Sequence, residues 1–131
     1  MSLGIVGGRD FSDESLFQLE VEELWNRKNF VRIVSGGAKG ADSFAEKWAK
    51  ERNIEFVVHL PKDKTKRYEY IVRNKKIVDD SDFILAFWDG ESKGTKSTIE
   101  FAHEKTNPSE NCSLWEDTWF SRTRQDKTRG R

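Results

Sequence analysis

The chain has a single cysteine, Cys112, among its 131 residues. That excludes an internal disulfide framework and suits a reducing compartment. It also lacks an excess of either charge: 23 basic and 23 acidic side chains cancel. Nothing in the overall charge draws it to DNA or to a membrane surface, and nucleic-acid binding would need a local patch. Long apolar runs are missing too. The longest uninterrupted one, Phe83 to Trp88, falls far short of the roughly 20 residues that cross a bilayer, so no membrane partner is expected. No basic-then-apolar signal peptide opens the sequence, and the expected location is the cytoplasm. Gly-x-x-x-x-Gly-Lys-Ser/Thr and a full Gly-x-Gly-x-x-Gly are both absent, which disfavours a P-loop ATPase and a dehydrogenase. His59 and His103 have no metal-ligand spacing with Cys112. Neither a metal nor another cofactor is therefore expected.

What is present suffices for one domain with one core: 35% of the residues are apolar and 12% aromatic. Leu3 to Val6 reads as a buried first strand ending at Gly7-Gly8. Ser12 or Asp13 caps a helix with Phe17, Val21, Leu24 and Trp25 on one stripe. Phe30 to Val34 forms the second strand. Ala41, Phe44, Ala45, Trp48 and Ala49 then recur at amphipathic helical spacing, and Asn53 is a left-handed stop. Ile54 to Leu60 is the third strand, closed by Pro61. A helix from about Tyr68 to Asp80, a strand from Phe83 to Trp88 and a helix from Thr95 to Thr106 follow. This alternation predicts an α/β, Rossmann-like, three-layer fold, with a parallel sheet of four to five strands and helices on both faces.

The expected organisation is a nucleotide-binding domain over residues 1–107 and a C-terminal segment over 108–131. That segment carries Trp115, Trp119 and Phe120 and ends in a basic run from Arg122 to Arg131. It reads as a last strand plus a loose tail, or alternatively as a docking arm.

Ligands of open parallel sheets bind beyond the carboxyl ends of the strands, where strand order reverses. Three glycine-bearing loops leave such ends: Gly7-Gly8-Arg9-Asp10, Ser35 to Asp42, and Asp89 to Thr95. A strand order of 3-2-1-4 brings all three to one crevice. Glycines let backbone N–H groups approach an anion, and the helix start that follows is itself an anion site. The candidate ligand-binding residues are Gly7, Gly8, Arg9, Ser35, Gly36, Gly37, Lys39, Gly40, Asp42, Asn74, Asp89, Gly94 and Thr95. Trp88, at the end of its strand, is a candidate for stacking on a base.

Together these motifs resemble the SMF/DprA–LOG (SLOG) superfamily, in its small YspA-like branch. The resemblance rests on Gly7-Gly8-Arg9-Asp10-Phe11, Ser35-Gly36-Gly37-Ala38-Lys39-Gly40-Ala41-Asp42, Arg73-Asn74, Asp82 leading into Phe83 to Trp88, Lys93-Gly94-Thr95-Lys96, and Thr98 to Ala102. It spans about residues 3 to 107. It implies a Rossmann-like sheet binding a nucleotide-derived small molecule at its glycine loops. The superfamily includes the lonely-guy phosphoribohydrolases, which cleave the base–ribose bond of nucleoside monophosphates. They use an arginine on the helix before the fourth strand and a glutamate after a Gly-Gly-x-Gly-Thr loop. Arg73 is similar to that arginine. The glutamate's place, three residues after Thr95, holds Thr98. The nearest acid, Glu100, is the second candidate catalytic residue; it lies two positions on and is turned by roughly 200° on a helix, away from the site. The lonely-guy relatives are dimers, which implies a homodimer here.

Three readings follow. The leading one is binding of a nucleoside phosphate or an ADP-ribose-like ligand. The second is N-glycosidic cleavage of the phosphoribohydrolase kind. The third is a single-stranded nucleic-acid-binding accessory. Its basis is Lys62, Lys64, Lys66, Arg67, Arg73, Lys75 and Lys76, interleaved with Tyr68 and Tyr70. With zero net charge, a solvated face is the favoured reading of that stretch.

Overall fold

In the computed structural model, residues 1–88, 91–105 and 118–121 are described. The elements run β1 (Ser2–Gly7), α1 (Glu14–Arg27), β2 (Arg32–Ser35), α2 (Ala41–Glu51), β3 (Glu55–Val58), α3 (Arg67–Asp79), β4 (Phe83–Phe87), α4 (Lys93–Lys105) and β5 (Thr118–Ser121). The strands form one sheet in the order β3-β2-β1-β4-β5, with every pairing parallel. The chain winds outward from β1 to β3, then returns to the far side of β1 for β4. The β1–β4 seam is therefore the switch point where a ligand crevice is expected. Gly7 and Phe87 stand in register at its carboxyl end.

Side-chain alternation along the central strands sorts the core into two layers. Leu3 and Ile5 of β1, with Phe83, Leu85 and Phe87 of β4, pack with Phe17, Val21 and Leu24 of α1 and with Ala45, Trp48 and Ala49 of α2. Val6, Ile84 and Ala86 point to the opposite face and pack with Ile77 and Val78 of α3 and Ile99 and Ala102 of α4. Both faces are covered, which is why the central strands read as continuous apolar runs rather than alternating ones. At Gly4 a methyl group would run into the Ser81 hydroxyl and approach Ile84 Cδ1 to 2.6 Å, so the sheet lies close under the end of α3.

Local signals set the element ends. Asp13 caps α1 by accepting the Leu16 N–H at 3.1 Å. Asn53 stops α2 with φ 55°. β3 ends at Val58 rather than Leu60. One further ladder bond runs from His59 N–H to Ser35 O; Leu60 is exposed and Pro61 has no N–H to give. α4 begins at Lys93 rather than Thr95, because Ser92 closes its first turn. The Ser92 carbonyl accepts from Lys96 N–H at 3.1 Å, and its hydroxyl accepts from Thr95 N–H at 3.4 Å.

The segment after residue 107 contributes β5, which pairs with β4 from Ile84↔Thr118 to Phe87↔Ser121. The remainder of that segment, with Cys112, Trp115 and the basic run, lies outside the described residues. Among the described residues, no helix is long and apolar enough to cross a membrane.

Candidate functional site: a cleft at the β1–β4 seam

A cleft of about 860 Å³ opens at the carboxyl end of the seam. Its walls are the β1 loop, α3 and the start of α4. From α3 it takes Arg67, Tyr70, Ile71, Asn74 and Ile77, a single helical stripe at i, i+3, i+4, i+7 spacing, and Arg73 beside it. Phe11 lines the cleft and stacks on Phe87 with ring centroids 4.7 Å apart. The cavity therefore has an apolar, aromatic side and a cationic side formed by Arg9, Arg67, Arg73 and Lys93. The carboxylates of Asp10, Asp42 and Glu91 also line it.

The expected site residues divide. Gly7, Gly8, Arg9, Asp42, Arg73, Asn74, Gly94 and Thr95 all line the cleft. Ser35, Gly36, Gly37, Lys39 and Gly40 do not; from their loop only Ala38 and Asp42 reach it. Glu100 sits on the exposed side of α4, outside the cleft, while Thr98 faces the cavity and donates its hydroxyl proton to Gly94 O at 3.1 Å. Trp88 does not line the cavity either. It packs against the α3–α4 core layer and donates its indole N–H to Ser92 O at 3.0 Å. Asp89 lies outside the described residues. Phe11, Arg67, Tyr70, Ile71, Ser92 and Thr98 were not anticipated as cleft residues. The 67/70/71/74/77 spacing on α3 was the signal available for three of them.

The loop between β2 and α2 is filled from within. Gly37 and Gly40 have φ 72° and 77°, a region closed to most side chains. A methyl group at Gly40 would strike the Gly8 carbonyl oxygen, and one at Gly36 would meet Arg73 Nη1. Asp42, in the first turn of α2, turns its carboxylate back into the loop and accepts the Ala38 N–H at 3.0 Å. The helix end is thus neutralised by its own acid. Asp42 is only 5% exposed. Burial raises its pKa, opposed by the Ala38 N–H, the nearby Ser35 hydroxyl and the Arg73 charge. Asp42 Oδ1 and Ser35 Oγ are both buried without completing a hydrogen bond of good geometry. A buried polar atom left in that state costs about 1–3 kcal/mol.

Arg73 ties this loop to α4. Its Nη1 donates to Gly36 O at 2.6 Å and more weakly to His59 O at 3.4 Å. Its Nε donates to Asn74 Oδ1 at 2.9 Å, and Asn74 Nδ2 donates to Gly94 O at 3.3 Å. The guanidinium also lies over the Tyr70 ring at 5.5 Å. Burial lowers the Arg73 pKa; Asp42 and Tyr70 oppose that, and the like charge of Arg9 adds to it. Two guanidinium groups thus face one cavity closely enough to repel, an arrangement that an anion between them would relieve.

The start of α4 is built differently from that of α2. α1, α2 and α3 carry Glu14, Asp42 and Glu69 in their first turns, whereas the first turn of α4 has no acid. Its two leading residues are Lys93 and Gly94. A methyl group added at Gly94 or at Gly8 would meet nothing within 4 Å, and neither residue has a positive φ. Among the described residues, no group of three or more His, Cys, Asp or Glu is arranged to hold a metal ion.

Comparison with known proteins agrees with this architecture. No curated protein matches the chain. The X-ray structure of DNA processing protein A (DprA) from Streptococcus pneumoniae superposes with a TM-score of 0.68 at 17% identity, covering 98% of this chain and 60% of that one. The present chain therefore spans well under two thirds of DprA, and at this identity the likeness is one of fold. The family model for the YspA, cpYpsA-related SLOG family matches residues 3–65, the stretch that holds β1, β2 and both of their glycine loops. That match covers just under half of the chain and, with the sheet order and the switch-point cleft, supports a likeness to the YspA-like branch of the SLOG superfamily.

Proposed function

We propose that the cleft binds a nucleotide or nucleotide-derived ligand. The carrying observation is the convergence of Arg9, Arg73 and the acid-free start of α4 on one cavity whose other wall is Tyr70, Ile71 and Phe11. Cations and unpaired N–H groups suit a phosphoryl group, and an aromatic wall suits a base. At about 860 Å³ the cavity is within the usual range for small-molecule sites, roughly 300–1,000 Å³.

Binding is favoured over N-glycosidic cleavage because the position where the phosphoribohydrolases carry glutamate holds Thr98, whose hydroxyl is committed to Gly94 O. The test is isothermal titration with AMP, ADP-ribose and a short single-stranded DNA, followed by assay for free base. Saturable binding of a small nucleotide, weakened by Arg9→Glu, supports the reading. Absence of binding by every nucleotide sinks it. Release of base lost in Arg73→Ala would favour the hydrolase. Binding of DNA alone, falling steeply with salt, would favour a nucleic-acid accessory.

A further inference from the structure

The nucleotide reading of the cleft accounts for Arg9 and Arg73 and leaves Arg67 without a role. Arg67 lines the cavity from the first residue of α3, two turns before Asn74, which lines it too. At about 1.5 Å per residue the two positions stand about 10 Å apart along the helix axis. Asn74 marks the inner end. Its Nδ2 donates to Gly94 O at 3.3 Å and so holds that turn of α3 against the α4 segment that carries Lys93. Arg73 is its neighbour, and Arg9 is near enough to Arg73 for the two charges to repel. The cleft therefore has an inner cationic end at Arg9, Arg73 and Lys93 and an outer one at Arg67. Tyr70 and Ile71 occupy the turn between them on the same face. Ile71 is 46% exposed, an apolar surface in the open wall between two charged ends.

The outer cation is not held by the protein. Among the described residues Arg67 makes no hydrogen bond or ion pair, and neither do Arg9 and Lys93; Arg27, Lys47, Lys50, Arg52 and Lys75 elsewhere on the surface are each paired with an acid. An anion bound at the inner end does little for Arg67, because attraction across about 10 Å of open, hydrated cleft is largely screened. Asp10, Asp42 and Glu91 share the walls, so the cleft is not a continuous basic groove of the kind that tracks a polymer backbone. Its cations mark two points with an apolar face between them, which suits a small ligand of fixed length.

We infer that the cleft selects a nucleotide whose second phosphoryl group is set apart from the first: the first at the Arg9 end, the nucleoside against Tyr70 and Ile71, and the second at Arg67. This rests on the nucleotide reading of the cleft and adds a second anion subsite to it. A nucleoside monophosphate fills only the inner end, and a nucleoside diphosphate places both of its phosphates there. A bisphosphate with phosphates on both sides of the ribose, or a dinucleotide, spans the two ends.

The test is isothermal titration of wild type, Arg67→Glu and Arg67→Ala with AMP, ADP, the adenosine bisphosphate pAp and the linear dinucleotide pApA, beside thermal melts. Arg67 is exposed, and both variants are expected to melt like wild type. A hydrogen bond to a charged group supports about a tenfold preference, and pAp or pApA is expected to exceed AMP and ADP by that factor in wild type. Whichever of the two is tighter tells whether the ligand ends at its second phosphate or continues beyond it. Arg67→Glu is expected to erase the preference and Arg67→Ala to reduce it, while AMP affinity stays close to wild type in both. Equal affinity of wild type for all four ligands, an equal gain with ADP, or a preference that survives in both variants overturns the second subsite and leaves the nucleotide reading intact. Failure of wild type to bind any of the four overturns both.

Discussion

The chain contains two loops of the same kind, each leaving a strand, passing glycine and opening a helix, and the protein uses them in opposite ways. Between β2 and α2 every glycine is required by the fold and the helix end is occupied by Asp42. At the start of α4 the glycine is required by nothing within the chain, and the helix end is unoccupied by any acid in its first turn. A glycine-rich turn before a helix thus has two physical meanings. It permits a backbone that other residues cannot adopt, or it clears space in front of a backbone that any residue could adopt. The first leaves its trace in stability, the second in binding.

The largest effect that separates the loops is expected at Gly40. Its φ of 77° and ψ of −127° lie in a region that is essentially glycine-only, and an added methyl group strikes the main-chain oxygen of Gly8, which cannot swing aside. Strain of about 1–2 kcal/mol and an overpacking cost of about 1–3 kcal/mol predict that Gly40→Ala loses roughly 2–4 kcal/mol in urea denaturation. A Gly40 variant therefore reports on folding before it reports on any ligand. Wild-type stability together with lost nucleotide binding would break the contrast and return the phosphate to this loop.

Arg73 sharpens the comparison because it bonds one loop directly and reaches the other through Asn74. Arg73→Ala removes the donor to Gly36 O and the partner of Asn74 Oδ1. Gly36 is buried, so its carbonyl is left without that bond, and a loss of about 1–3 kcal/mol is expected from denaturation curves. Arg73→Lys keeps the charge but lacks the planar fork that serves two acceptors, and should recover less than half of the loss. Wild-type stability in Arg73→Ala would mean that the guanidinium is free for the ligand and that the two loops are not mechanically joined.

How much of this was legible in the sequence follows from range. The alternation of strand and helix and the two-sided sheet followed from apolar runs, which are local signals; the order 3-2-1-4 was only the condition under which three loops would meet, and of the β2 loop only Ala38 and Asp42 reach the cleft. The turn of Glu100 away from the cleft followed from helical geometry once the resemblance had marked position 98 as the one facing the site. The direction of the Asp42 side chain did not, because an acid in the first turn of a helix can face a ligand or its own loop with the same spacing. Nor did the link from Arg73 through Asn74 to Gly94, which depends on how closely α3 and α4 approach. Trp88 shows the same limit: its position at a strand end suggested a ligand contact, but its N–H is taken by Ser92 O four residues on. The apolar stripe of α3 was visible as sequence, yet residues facing a cleft and residues facing a core share one periodicity.

The smallest effect is the one most specific to the β2 loop. Burial raises the Asp42 pKa above its ordinary value of 3.8, so the folded chain holds this proton to higher pH than the unfolded chain does. Stability from this group is fullest below the unfolded value and is lost as pH rises through the folded one. Above that, the fold carries the whole cost of a buried carboxylate. Asp42→Asn keeps an oxygen for the Ala38 N–H and cannot ionise. Its stability relative to wild type should therefore climb as pH rises from about 4 toward neutrality, by about 1.4 kcal/mol for each unit of elevation, as read from denaturation at a series of pH values. A pH-independent difference between wild type and Asp42→Asn would mean that Arg73 and the loop N–H groups hold the carboxylate comfortably charged. A loop that stabilises an anion of its own to that extent would be able to stabilise a phosphate, and the two loops would then differ only in which anion reaches them first.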